Sequence, residues 1–171
     1  MPSDVVTLEP AERADEPVLR NLLELYVHDL SEIFPQARVG PDGRFGYEHL
    51  PRYFAEPGRR FPFLIRAGGE LAGFALAMRG SPATADPADL DVAEFFVLRG
   101  HRRAGVGRSA APLLWDRLPG AWVVRCSLAN RAGLPFWEAA IRDYTKGAFE
   151  ARELPGSPNP WRVFSFRSRA G

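Results

Sequence analysis

Glu94-Phe95-Phe96-Val97-Leu98-Arg99-Gly100-His101-Arg102-Arg103-Ala104-Gly105-Val106-Gly107-Arg108-Ser109 is the stretch around which the chain is organised. Val92 to Leu98 is apolar and rich in aromatic and branched residues, which suits a central strand. A short basic turn follows, and Gly105 and Gly107 then open a helix. Glycines let the backbone come close to a ligand where a side chain would obstruct. The first N–H groups of a helix have no partner within it. Together with the helix dipole they favour an anion such as a pyrophosphate. Arg102, Arg103 and Arg108 add positive charge at the same place. The stretch reads as a phosphate cradle at a strand-to-helix junction.

Three kinds of site could own such a cradle. A P-loop needs Gly-Lys-Ser/Thr after its glycines, and the sole lysine of the chain is Lys146. A dinucleotide fold needs G-x-G-x-x-G/A, which Gly105, Gly107 and Ala110 satisfy formally, with Arg125 available for a 2′-phosphate. That fingerprint normally opens its fold, yet here it begins past residue 100 of 171, and no acid closes the next strand, Val123-Val124-Arg125-Cys126. The third pattern, R/Q-x-x-G-x-G/A after a strand ending in valine, fits Arg102-x-x-Gly105-x-Gly107 after Val97. On these residues the sequence resembles the GCN5-related N-acetyltransferase (GNAT) superfamily. That family places its acyl-coenzyme A motif in this part of a chain of this length.

A chain of 171 residues, 46% hydrophobic, suits a single domain over 1–171 with a substantial core. Its net charge of +1 gives no global reason to expect nucleic acid or an acidic membrane as partner. One cysteine excludes an internal disulfide and cannot supply a zinc cluster, so no metal is expected and the cytoplasm is the expected compartment. Met1-Pro2-Ser3-Asp4-Val5 lacks the basic start and apolar run of an export signal, and no stretch approaches membrane-spanning length.

Along the chain, Val5 to Leu8 reads as a first strand. Asp15 offers a helix N-cap with Pro17 in the first turn, and Leu19, Leu22, Leu23, Tyr26 and Leu30 recur at helical steps up to a stop before Pro35. A second helix is expected over Tyr47 to Phe54. Phe61 to Ala67 and Glu70 to Arg79 form a hairpin about Gly68-Gly69, and a Pro/Ser/Ala-rich loop leads to the central strand. The helix after the cradle runs to Pro119-Gly120 and contains Pro112, which predicts a kink or an early position for that proline. Then come a strand at Trp122 to Ser127, an amphipathic helix at Leu134 to Tyr144, and strands at Lys146 to Glu153 and Arg162 to Phe166. This is an α/β fold, with a mixed, mostly antiparallel sheet of six or seven strands flanked by about four helices. The order matches the superfamily from end to end.

The resemblance implies roles for particular residues. The pyrophosphate loop maps to Arg102, Arg103, Ala104, Gly105, Val106, Gly107 and Arg108, and the strand edge at Phe96, Val97 and Leu98 would pair with the pantetheine arm. Asn130 stands where the family contacts that arm, seven residues before Trp137 in Asn-x-x-x-x-x-Phe136-Trp137. The family commonly has a tyrosine in place of Trp137, acting as general acid, and an indole N–H has no useful acidity. Tyr144 is the nearest tyrosine downstream. Glu94 and Asp91 are the candidate bases for an amine acceptor; three apart, they face opposite sides of a regular strand unless a bulge intervenes. Tyr26, His28, Asp29, Ser31 and Glu32 lie where the family admits its acceptor, although a solvated helix end would hold the same residues. Cys126 reads as a buried, inert thiol.

The implied function is transfer of an acetyl group from acetyl-coenzyme A to a primary amine, on a small molecule or a peptide, by direct attack in a ternary complex. The chain would act as a monomer or homodimer. Two rivals stand beside it: an acyl-coenzyme A sensing domain that has lost transfer, motivated by Trp137, and an NADP-binding enzyme.

Overall fold

The computed structural model describes residues 5–169, so the expectation about Met1 to Asp4 lies outside the described residues. In chain order the elements are β1 (Val6–Pro10), α1 (Glu16–Leu30), α2 (Leu50–Ala55), β2 (Arg60–Ala67), β3 (Glu70–Arg79) and β4 (Leu90–Val97). They continue as α3 (Val106–Arg117), β5 (Ala121–Ser127), α4 (Gly133–Thr145), β6 (Glu150–Leu154) and β7 (Trp161–Arg167). Among the described residues the strands form one seven-stranded sheet in the order β1-β2-β3-β4-β5-β7-β6. Only β4 and β5 run parallel. A dinucleotide fold requires a parallel sheet wound on both faces, so the NADP reading is overturned.

The sheet carries one helical layer on each face. Leu19, Leu22 and Leu23 of α1 pack with Leu50 and Tyr53 of α2 on Leu64, Phe74, Leu76 and Phe96. On the opposite face Leu114 and Trp115 of α3 and Trp137, Ile141 and Tyr144 of α4 cover Phe63, Trp122, Val124, Phe164 and Phe166. Each fully buried side chain of this size contributes about 1.5–3 kcal/mol relative to exposure. The hairpin joining β2 and β3 turns on Gly68 and Gly69, both at positive φ (58° and 84°), as a tight right-twisted connection demands.

Several boundaries differ from the sequence reading for local reasons. Asp15 precedes α1, but its carboxylate accepts from Glu12 N–H at 2.9 Å, closing a single 3-10 turn instead of capping the helix. The second helix starts at Leu50, and Tyr47 stays outside it, turned into the protein. Of the two positions open to Pro112, a kink or an early place, the early one is not taken: it sits in the interior of α3, which continues to Arg117. Lys146 (φ 55°) and Gly147 (φ 85°) end α4 in the left-handed region, so β6 begins later, at Glu150.

Candidate active site

Strand β4 governs the site. It pairs with β3 along its length, but the register shifts between Leu76 and Ala77: Leu76 faces Glu94 and Ala77 faces Val92, so Ala93 is an extra residue. This bulge turns Asp91 and Glu94 toward the same face, the one covered by α1 and α2. On its other edge β4 meets β5 only through Leu90, Asp91 and Val92, opposite Trp122, Val123 and Val124. Beyond Val92 the two parallel strands part. The fork leaves the far edge of β4 without a strand partner.

The side chains at the fork form one network. Asp91 is 0% exposed. It accepts from Ser81 Oγ at 2.6 Å and from Arg125 Nε and Nη2 at 2.9 and 2.8 Å, so β4 and β5 are clamped where they separate. Glu94, half-buried, accepts from Tyr26 Oη of α1 at 2.5 Å on one oxygen and from Tyr47 Oη at 2.9 Å on the other. Burial pushes the Glu94 carboxyl above its usual range, against the pull of both tyrosines and of Arg125. Burial beside that carboxyl likewise raises Tyr26 and Tyr47, which therefore remain donors. Tyr53, 3% exposed, has a hydroxyl without a hydrogen-bond partner among the described residues, and burial and Glu94 push it up to about 12. Tyr47 is delivered by a loop anchored on α1: Glu24 accepts from Phe45 N–H and Gly46 N–H at 2.7 and 2.8 Å.

The cradle lies at the far end of β4. Gly105 (φ 77°) precedes α3, and among the described residues the N–H groups of Val106, Gly107 and Arg108 have no backbone acceptor. Arg103, also at positive φ (66°), is exposed and forms no ion pair among the described residues. Arg102 is committed elsewhere, donating to Val97 C=O at 2.8 Å and to Asp29 at 2.8 Å. Arg108 pairs with Asp143 of α4. A Cβ on Gly107 would lie 3.1 Å from the Phe136 ring, so a larger residue here would press on that ring as well as on the mouth of the cradle.

These placements correct several expectations. Tyr144 cannot serve at the fork: its hydroxyl donates to Asp116 at 2.6 Å and accepts from Arg169 N–H at 2.9 Å, at the edge of α3. Asp91 has no free face for a substrate proton. Asp29, expected near the acceptor, has both carboxylate oxygens engaged, tying α1 to the cradle through Arg99 (2.6 Å) and Arg102. Burial tends to raise Asp29, but these arginines outweigh it and hold the carboxyl below the usual range. His28 lies exposed against Phe45, its ring tilted at 43°, and Glu32 is solvated, so neither joins Tyr26 at Glu94. Phe96 and Leu98 direct their backbone groups toward β3, as Leu98 N–H to Ala72 C=O at 2.8 Å demonstrates. By alternation it is Phe95 and Val97 that face the open edge. Asn130 accepts from Gly133 N–H at 2.9 Å at the start of α4, and Trp137 is a core side chain on Phe95 and Trp115. Cys126 is buried, and desolvation pushes its thiol up to about 12.

Sequence reading missed Tyr47, Tyr53, Ser81 and the aromatic pair Phe34 and Trp161, stacked at 5.7 Å beside Arg125, and it considered Arg125 only for a 2′-phosphate. A charge inside the apolar run of β5 was a signal for Arg125, since a buried cation requires a partner. The others are assembled by the fold alone. Among the described residues, no cluster of His, Cys, Asp or Glu could hold a metal ion, and no helix is long and apolar enough to cross a membrane.

No protein-family model and no curated protein matches the sequence. Solved structures do match the fold. An acetyltransferase from Thermus thermophilus aligns over 98% of this chain and 99% of its own, with a TM-score of 0.63 at 19% identity. A spermidine N-acetyltransferase from Vibrio cholerae, in complex with coenzyme A and spermine, aligns over 95% of each chain with a TM-score of 0.65 at 14% identity. An aminoglycoside acetyltransferase in complex with coenzyme A gives 0.65 at 16% identity over 95% of each chain. The fold is that of the GNAT acetyltransferases.

Proposed function

We infer that this chain is an acetyl-coenzyme A-dependent N-acetyltransferase, one cytoplasmic domain that acylates a primary amine. The observation that carries the reading is the parting of β4 from β5, with a donor-lined cradle at one end and the Glu94 carboxylate at the other. The fit of the cofactor rests on these features. The free N–H groups of Val106, Gly107 and Arg108, with Arg103 beside them, suit a pyrophosphate. The open edge at Phe95 and at the Val97 N–H, the Val97 C=O being taken by Arg102, suits the amides of a pantetheine arm, added as a strand is added to a sheet.

Acetyl-coenzyme A, when bound, supplies an acyl thioester. An ammonium must lose a proton before its nitrogen can attack, and Glu94 is the group held ready to take it. A carboxylate raised above its usual range is a better proton acceptor, and the two tyrosine donors fix its orientation. Tyr144 and Trp137 are unavailable as acids, so the leaving group takes its proton from solvent.

Calorimetric titration with acetyl-coenzyme A, coenzyme A and NADPH tests the cofactor, and thiol release with a panel of amines tests transfer. Arg103→Glu places an anion in the cradle without touching the core and should weaken coenzyme A binding more than about tenfold, against 1.4 kcal/mol per decade. Absence of coenzyme A binding by the wild type would remove the reading.

A further inference from the structure

The charge and shape of the cleft around Glu94 bear on which amine is accepted, an inference that rests on the transfer reading above. Its carboxylates are almost all spent. Asp91 is neutralised by Arg125, Asp29 by Arg99 and Arg102, and Glu24 uses both oxygens on the loop amides. Glu32 stands in solvent beyond the end of α1. Glu94 alone keeps an uncompensated carboxyl inside the cluster, so the cleft offers a place for one ammonium. A second cationic group would meet the Arg125 guanidinium, whose side chain is 21% exposed. Like charges in a confined site reject a partner as effectively as missing contacts do.

Beside Arg125 the cleft is aromatic. Phe34, from the segment after α1, lies against Trp161 at the start of β7, with ring centroids 5.7 Å apart and planes within 21°. The Arg125 guanidinium lies 6.0 Å from the Trp161 ring, so the pair adjoins the fork through that arginine. Trp161 is held in this position by its own loop. A Cβ on Gly156 would fall 2.5 Å from Trp161 Cδ1, so the ring rests on bare backbone. Both rings are partly exposed, so the stacked pair presents apolar surface beside Arg125 for a planar group to cover.

We propose that the acceptor is a small monoamine with an aromatic body, its ammonium at Glu94 and its ring against Phe34 and Trp161, and that polycationic amines are excluded. A polyamine or an aminoglycoside needs several carboxylates along its length, and the cluster supplies one. An aromatic ring gains both buried area and offset stacking on the pair.

The test titrates 2-phenylethylamine, butylamine and spermidine into the full chain in the presence of coenzyme A, and then follows thiol release with acetyl-coenzyme A. The aromatic amine should bind at least about tenfold more tightly than spermidine. Trp161→Ala should weaken 2-phenylethylamine about tenfold and leave butylamine within about twofold. Phe34→Ala, in a connection outside the sheet, should act in the same direction without risk to folding. Spermidine binding as tightly as 2-phenylethylamine, or indifference of the aromatic amine to both variants, would overturn the proposal. Absence of thiol release with any amine would remove the transfer reading instead, while the binding comparison still judges the pocket.

Discussion

Replacing Arg125 with methionine probes the clamp at the fork. Asp91 is 0% exposed and receives two bonds from Arg125, at 2.9 and 2.8 Å, and one from Ser81, at 2.6 Å. Methionine preserves much of the side-chain length but leaves the Asp91 charge buried with Ser81 as its remaining donor. Stranding one member of a buried pair costs about 3–5 kcal/mol. Solvent reaches the Arg125 side of the pair, so a loss near the lower bound, about 3 kcal/mol, is expected. Domain stabilities are only about 5–15 kcal/mol, so the loss is large. With a urea slope of about 2 kcal/mol/M the unfolding midpoint should fall by about 1.5 M. Adding Asp91→Asn removes the stranded charge and should restore most of the stability, with a coupling in the double-mutant cycle of about 2 kcal/mol. A loss below about 1 kcal/mol for Arg125→Met, or a double variant no more stable than the single one, would refute the assignment of this pair as a buried clamp.

Glu94→Gln should lower kcat by about 10²–10⁴, the usual contribution of a positioned base. The acid limb of wild-type kcat/KM should lie above the ordinary glutamate range, and Tyr47→Phe, which removes a donor to the charged form, should move it to still higher pH. Because the folded state raises the Glu94 pKa, it holds the proton more tightly than the unfolded chain does. Its contribution to stability is present at low pH and is lost as pH rises through the folded value, so Glu94→Gln should raise Tm at neutral pH. Gly105→Ala places a Cβ in open space at φ 77°, so it should cost about 1–2 kcal/mol through backbone strain alone, read by denaturant unfolding. Cys126, its thiol pushed up to about 12 and buried, should react with a disulfide reagent only after unfolding.

Element order, the cradle and the amphipathic faces of α1 and α4 were legible in the sequence because they are local. Helical spacing of Leu19, Leu22 and Leu23, glycines after a valine-ended strand, and two glycines in a hairpin each express backbone physics within a few residues. The rival dinucleotide reading could not be dismissed at that level, since G-x-G-x-x-A is also local; the antiparallel sheet dismissed it. Cradle position was likewise readable, but not which arginine was free. Arg102 and Arg108 look equivalent to Arg103 in sequence, and only their partners Asp29 and Asp143, on other helices, distinguish them.

The sequence by itself determined that a strand ends in a glycine-bearing turn that opens a helix, that Glu94 lies on that strand, and that one helical face lies against the sheet. The tertiary structure alone decided that Asp91 is a clamp, that Glu94 is gripped by Tyr26 and Tyr47, and that Tyr144 faces away. One inserted residue, Ala93, reverses the facing of half a strand, and partners 34 to 68 positions apart, such as Arg125 with Asp91 and Tyr26 with Glu94, leave no periodic trace. Local preferences act through neighbouring backbone dihedrals, whereas a side chain's charge and hydrogen bonds are set by whatever the fold brings within a few ångströms of it.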